Sequence, residues 1–183
     1  MIQWIAFVLG SIIMLIFSWA SLHHPDSHGF YRFFAWEVIF GLVLIDAPIW
    51  FHNPFSWNQI ISWILLIASP FPVALGIYQL STRGNPDKVK RTDPGLIGFE
   101  RTTQVVDSGI YQYIRHPIYS SLLSIAWGTF FKSLDQTGIT LTLIAMLFLY
   151  ATAKAEEAEC MQVFGTDYQN YMKRTKMFIP YVF

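Results

Sequence analysis

Three apolar runs, about 2–22, 31–51 and 57–80, occupy the first half of this 183-residue chain. A hydrocarbon core of ~30 Å is crossed by roughly 20 helical residues, so each run is long enough to span a bilayer. Backbone inside lipid must satisfy its own hydrogen bonds, and a continuous apolar run does so as a helix. Two further runs, about 117–131 and 138–155, are separated only by residues 132–137, which forces them into an antiparallel hairpin. The expected fold is therefore all-α: a polytopic membrane helical bundle of about five transmembrane helices with a C-terminal helical cap on the cytoplasmic side. Pro70 and Pro72 predict a kink or break in the third run. The fourth run is short and needs tilt or residues from its flanks. A single integral membrane domain over 1–183 follows, with three N-terminal spans in 1–80, a polar loop at 81–116, and the hairpin with its tail at 117–183.

Composition agrees with this reading. Hydrophobic residues make up 54% and charged residues 13%, about half the roughly 25% charge of soluble domains. Net charge is +0, which leaves no electrostatic footprint for nucleic acid. One cysteine, Cys160, excludes an internal disulfide, and nothing spaces it with other metal ligands. Residues 1–3 carry no basic side chain and no small-x-small site follows the first run, so that run is expected to stay in the mature protein. With five spans and the N-terminus outside, 11 of the 12 Lys and Arg residues fall inside, against Lys132 alone outside. The loop and the tail then share the cytoplasmic face. A multi-pass protein of a bacterial inner membrane is the expected setting.

The chemistry-bearing residues gather at that face. Gly109-Ile-Tyr-Gln-Tyr-Ile-Arg-His-Pro-Ile-Tyr119 runs straight into the fourth apolar segment. Pro117 suits a first helical position, and His116 before it is pushed towards an extended backbone. The free N–H groups of that helix start, beside Arg115 and His116, favour an anion. The same pair could instead simply end a membrane helix. From Gly138 to Phe164 the fifth helix should measure ~40 Å and overrun the bilayer core, with Gly165 as its stop. Glu156 and Glu157 then reach the depth of Arg115 and His116. Positive groups for an anion beside negative groups for an amine suit an amino-acid-like ligand. A solvated helix end built from Lys154, Glu156, Glu157 and Glu159 is the plainer reading. Tyr168 and Tyr171, three apart, belong either to an amphipathic interface helix or to a lid with aromatic faces near a cation.

The tract 105–183 resembles the isoprenylcysteine carboxyl methyltransferase and phospholipid methyltransferase family of integral membrane enzymes. The matching pattern is G-x-Y-x-x-x-R-H-P-x-Y, then E-E, then F-G-x-x-Y-x-x-Y and a closing I-P-Y. The resemblance implies S-adenosyl-L-methionine as cofactor, no metal, and transfer of a methyl group to a lipophilic small-molecule or lipid-borne acceptor that arrives from the membrane lipids. It implies cofactor contacts at Tyr111, His116, Pro117, Tyr119, Glu156, Glu157 and Tyr168, with Arg115, Arg174 and Glu157 as candidate catalytic residues. Ser121 stands where the family often has Gly, and Glu159 where it commonly has an apolar residue. A carboxylate acceptor would need only an Arg to position it, whereas an amine or thiol would need a base, either a glutamate or His116. Membrane sterol-type reductases using NADPH share a similar Arg-His-Pro-x-Tyr and Ile-Pro-Tyr. A phosphate-rich nucleotide, though, should attract more basic residues than Glu156 and Glu157 allow. A non-catalytic membrane scaffold is the third possibility.

Other polar residues have plainer expectations. Glu37 and Asp46 lie in the second run and read as helix-pairing or interface groups. His23, His24 and His28 read as a solvated loop. Glu100 and Arg101 are either supports for the site or surface charge.

Overall fold

The computed structural model describes residues 1–91 and 95–183. Among the described residues there are seven α-helices: α1 (Ile2–Leu22), α2 (His28–Asp46), α3 (Trp57–Ala68), α4 (Pro70–Arg83), α5 (Pro117–Ser133), α6 (Gln136–Phe164) and α7 (Thr166–Arg174). Among the described residues β structure is limited to one isolated parallel bridge, between Ile114 and Lys176. By length and composition three segments can cross a membrane: Ile2–Leu22, Trp57–Arg83 and Gln136–Phe164. The outer faces of α1 and α3 leave Ile5, Leu9, Ile13, Ile16, Ile60 and Ile64 exposed, a run of apolar surface suited to lipid.

The second run is shorter than expected. Pro48 lacks a donor N–H, so α2 stops at Asp46 and a 3₁₀ turn (Ala47–Ile49) follows in place of helix to residue 51. The third run divides where Pro70 and Pro72 suggest, into α3 and α4 at Ser69, whose hydroxyl donates to Leu66 O at 2.8 Å. α5 starts at Pro117 and ends in left-handed Leu134 (φ 54°). Asp135 caps α6 by accepting from Gly138 N at 2.6 Å. At 29 residues, α6 is the longest helix. Its ~43 Å extends past a ~30 Å core.

α2 packs along α6, α1 covers α2, and α5 is held between α3, α4 and α6. Small residues allow these approaches. A Cβ at Gly128 would lie 2.9 Å from Leu66 Cγ, so α5 and α3 touch almost backbone to side chain. Ala35, Ala126, Ala145 and Ala153 are fully buried where α2, α5 and α6 meet. Polar groups tie the same helices: Ser11 donates to Glu37 Oε2 at 2.7 Å, the helix-pairing role expected of Glu37. At the far end Lys132 is buried, donates to Gln59 Oε1 at 2.8 Å and lies 3.5 Å from the Trp63 ring centroid.

At the opposite end the chain between α4 and α5 folds over the helix mouths through two 3₁₀ turns (Gly98–Glu100 and Gly109–Gln112). Gly109 has φ 64°, and a Cβ there would collide with the Gln79 side chain, so both the backbone angle and the space call for glycine. Gly165 (φ 55°) turns the chain into α7. The segment after α7 then runs beside residues 113–116, joined by Arg115 N to Lys176 O (2.8 Å), Lys176 N to Tyr113 O (3.0 Å) and His116 N to Met177 O (3.1 Å).

Candidate functional site

Four elements meet at this end: the start of α5, the end of α6, α7 with the segment after it, and the loop before α5. His116 caps α5 with φ −123° and ψ 63° and is only 3% exposed. Its ring stacks on Tyr119 (centroids 5.4 Å, planes 14° apart) and lies 6.0 Å from Phe178. Nδ1 stands 3.3 Å from Glu156 Oε2 and Nε2 3.5 Å from Glu157 Oε1. Nε2 is buried and completes no hydrogen bond. Burial disfavours a charged imidazole, but the two adjacent carboxylates of Glu156 and Glu157 outweigh it and raise the His116 pKa above its ordinary value.

Glu156 and Glu157 have separate surroundings. Glu157 is buried, takes Arg115 Nε and Nη2 on Oε1 (2.8 Å each) and takes Lys154 Nζ on Oε2 (2.9 Å). Arg115 also donates from Nη1 to Thr175 O at 2.6 Å, so one guanidinium joins the lead-in to α5, α6 and the segment after α7. Glu156 instead lines a cavity of about 60 Å³, with Glu100, Glu159, Tyr111, Arg115, Tyr168 and Tyr171 among its neighbours. A smaller adjoining cavity of about 20 Å³ reaches His116, Pro117 and Tyr119. Glu156 and Glu159 thus face the pocket, and Glu157 faces the ion pair behind it.

Most residues expected at the site converge there: Tyr111, Arg115, His116, Pro117, Tyr119, Glu156 and Tyr168 line the two cavities. Tyr168 and Tyr171 are buried and point into the protein, with Tyr171 Oη donating to Tyr111 O at 2.8 Å. Arg174 is not brought to the pocket. Its side chain is 62% exposed and pairs with Asp107 at 2.7 Å.

Sequence reading missed a second charged cluster. His28 is fully buried instead of lying in a solvated loop. Its backbone N–H and Nδ1 both reach Glu159, at 2.8 and 2.7 Å. Burial opposes its charge, but Glu100 and Glu159 raise its pKa to about 9. One turn on, Arg32 donates from Nη1 to both oxygens of Glu100 (2.8 and 3.0 Å) and from Nη2 to Gly95 O (2.6 Å). Burial would raise the Glu100 pKa; Arg32 and His28 more than reverse this and lower it. These partners are 68 and 131 positions apart in sequence, and no local pattern links them. The one available signal was an arginine at the edge of an apolar run with no acid three or four residues away in its own helix.

Residues 92–167 match the phospholipid methyltransferase family model, which bears out the resemblance read from the C-terminal motifs. The chain is similar to methanethiol S-methyltransferase of Pseudomonas deceptionensis, at 27% identity over 39% of this chain and 26% of the relative. It is similar to methanethiol S-methyltransferase 1 of Bradyrhizobium diazoefficiens, at 22% identity over 65% of this chain and 39% of the relative. A third relative, methanethiol S-methyltransferase of Crocosphaera subtropica, is 25% identical over 39% of this chain and 28% of its own length. The matches therefore span about a quarter to two fifths of these relatives. No solved structure matches the chain.

Proposed function

We propose that this chain is an integral membrane methyltransferase that uses S-adenosyl-L-methionine and acts on a lipophilic acceptor. The observation that carries it is the orphaned, buried His116 Nε2, set between consecutive carboxylates beside the pocket that Glu156 enters. The residues suit the cofactor. Glu100, Glu156 and Glu159 offer negative charge to its sulfonium and amino groups, Arg115 suits its carboxylate, and Tyr111 and Tyr168 offer aromatic faces. Known ligand sites occupy roughly 300–1,000 Å³. The cavity of about 60 Å³ must therefore widen on binding, and the loop at 95–106, which has little helix of its own, is the wall best able to move.

When bound, the cofactor would supply an activated methyl group; the protein's part is alignment and exclusion of water. Phe178 separates His116 from a large apolar groove of about 820 Å³, lined by Leu65, Leu123, Ser124, Trp127, Met146 and Phe178 among others. This groove suits an acceptor's apolar tail. Since the three relatives are named for methanethiol, a lipophilic thiol is the favoured acceptor class. A thiol must lose a proton as it attacks. Glu156 and His116 both border the pocket cavities, and either stands where it could take that proton. The same three carboxylates oppose the phosphates of NADPH, which disfavours a reductase. A single domain of five spans, with the site end on the cytoplasmic face of a bacterial inner membrane, completes the proposal.

Isothermal titration of detergent-solubilised protein with S-adenosyl-L-methionine tests the reading, followed by transfer of a labelled methyl group to dodecanethiol. Saturable binding with label in the thioether is expected. Folded protein that binds neither this cofactor nor its demethylated product would sink the reading.

A further inference from the structure

We infer that Arg32, contributed by α2 from the N-terminal half, is a positioning residue of the methyl-donor pocket that acts through Glu100. This rests on the methyl-donor reading above. Glu100 borders both cavities of the pocket, yet its backbone belongs to the loop before α5, where one 3₁₀ turn and the bonds Glu100 N to Ile97 O and Thr102 N to Glu100 O hold it. To the side chain its own loop supplies one bond, from Ile97 N to Oε2 at 2.7 Å, and His28 Nε2 stands 3.7 Å from the same oxygen. Arg32 supplies two more and also takes Gly95 O, so one guanidinium grips both ends of the Gly95–Glu100 segment from outside the pocket. Arg32 is 5% exposed and does not border the cavities. His28 performs the parallel task for Glu159, which faces the same cavity from α6.

The two cations of α2 therefore saturate Glu100 and Glu159 from behind. Both carboxylates border the pocket, where Glu156 completes a three-sided lining of carboxylates, with Glu100 held towards its ionised form by Arg32. Such a lining favours a ligand that carries an extra positive charge. S-adenosyl-L-methionine carries a sulfonium, and the product left after methyl transfer does not. Arg32 thus helps the pocket prefer the charged donor over its spent product. Without Arg32, Glu100 would lose its bidentate partner, gain a proton more readily and drift with its loop.

Titration calorimetry with the donor and its demethylated product, S-adenosylhomocysteine, tests this on wild type, Arg32→Gln, Glu100→Gln and the double variant. Monodisperse elution and a cooperative melt establish folding for each. Arg32→Gln should weaken donor binding about tenfold and product binding less than threefold. The double variant should bind the donor no more weakly than Glu100→Gln alone, as expected when one residue acts through the other. Folded Arg32→Gln with wild-type donor affinity overturns the inference, as do losses that multiply in the double variant. If Arg32→Gln does not fold, Arg32→Lys keeps the charge but loses the two-ended grip, and the same loss of donor preference is expected of it. Failure of wild type itself to bind either ligand would instead overturn the methyl-donor reading.

Discussion

Arg115 closes Nε and Nη2 on a single oxygen of Glu157, at 2.8 Å each. Both side chains are nearly enclosed, and the other half of the guanidinium reaches Thr175 O and Met172 O. Removing Arg115 would leave a buried carboxylate with Lys154 and the more distant His116, and the loss of one partner from a buried pair costs ~3–5 kcal/mol. Arg115→Ala should show a strongly lowered melting temperature in detergent and earlier tryptic cleavage at Lys176. Arg174, which pairs with Asp107 in the open, should be nearly silent. Arg174→Ala is expected to keep donor affinity within twofold by calorimetry.

Glu156 and Glu157 separate binding from stability. Glu156→Gln should weaken donor binding at least tenfold and lower the melt less than Glu157→Gln does, because its carboxylate faces the cavity and has His116 as its cationic neighbour. Glu157→Gln should do the reverse, lowering the melting temperature by several degrees through the stranded Arg115 while donor affinity changes less. The paired melts and titrations check both halves.

His28 gives the stability a pH dependence. Its pKa in the folded protein, about 9, lies above its ordinary value of 6.5. Its contribution is therefore complete below pH 6.5 and lost as pH rises through about 9. Wild-type melting temperature should fall across that window, and the part due to this residue should vanish in His28→Gln. Glu100 acts with the opposite sign: its pKa is lowered, so its contribution is present at neutral pH and is lost on acidification below its ordinary carboxylate value.

The apolar groove can be tested apart from the pocket. Ser124 lines it and sits on α5 two turns from His116. Ser124→Phe should cut turnover of a long-chain thiol several-fold, spare a short one, and leave donor binding unchanged. Equal losses for both chain lengths would remove the groove from the acceptor path.

Opening of the loop wall should be visible by hydrogen exchange. The amides of 95–106 are expected to exchange fastest around the site without donor and to gain protection when S-adenosyl-L-methionine is added. Protection confined to α6 would place the widening elsewhere.

What could be read before folding was the part written in local patterns. Pro117 announced the start of α5, Gly165 the end of α6, and the short link at Leu134 and Asp135 the hairpin that brings His116 level with Glu156. Helix length alone carried the two carboxylates past the bilayer. Side-chain direction was not legible, because neighbours in one helix diverge by about 100° and only packing decides which faces inward. So Glu156 and Glu157 could not be told apart, and Arg174 was credited with a place it does not occupy. The α2 cluster was invisible for a different reason: Arg32 and Glu100 meet across the bundle, through contacts that no spacing rule encodes.

The segment after α7 is held beside residues 113–116 by main-chain bonds, through Lys176 N and O and Met177 O. Such a seam is indifferent to many side chains but strict about counting. Substituting the exposed Lys176 should be tolerated, whereas inserting or deleting one residue between Tyr171 and Met177 would shift the next side chain by a full step. Phe178 would leave the His116 ring, and Arg115 would lose Thr175 O. In homologues, this stretch should vary freely in letters and hardly at all in length.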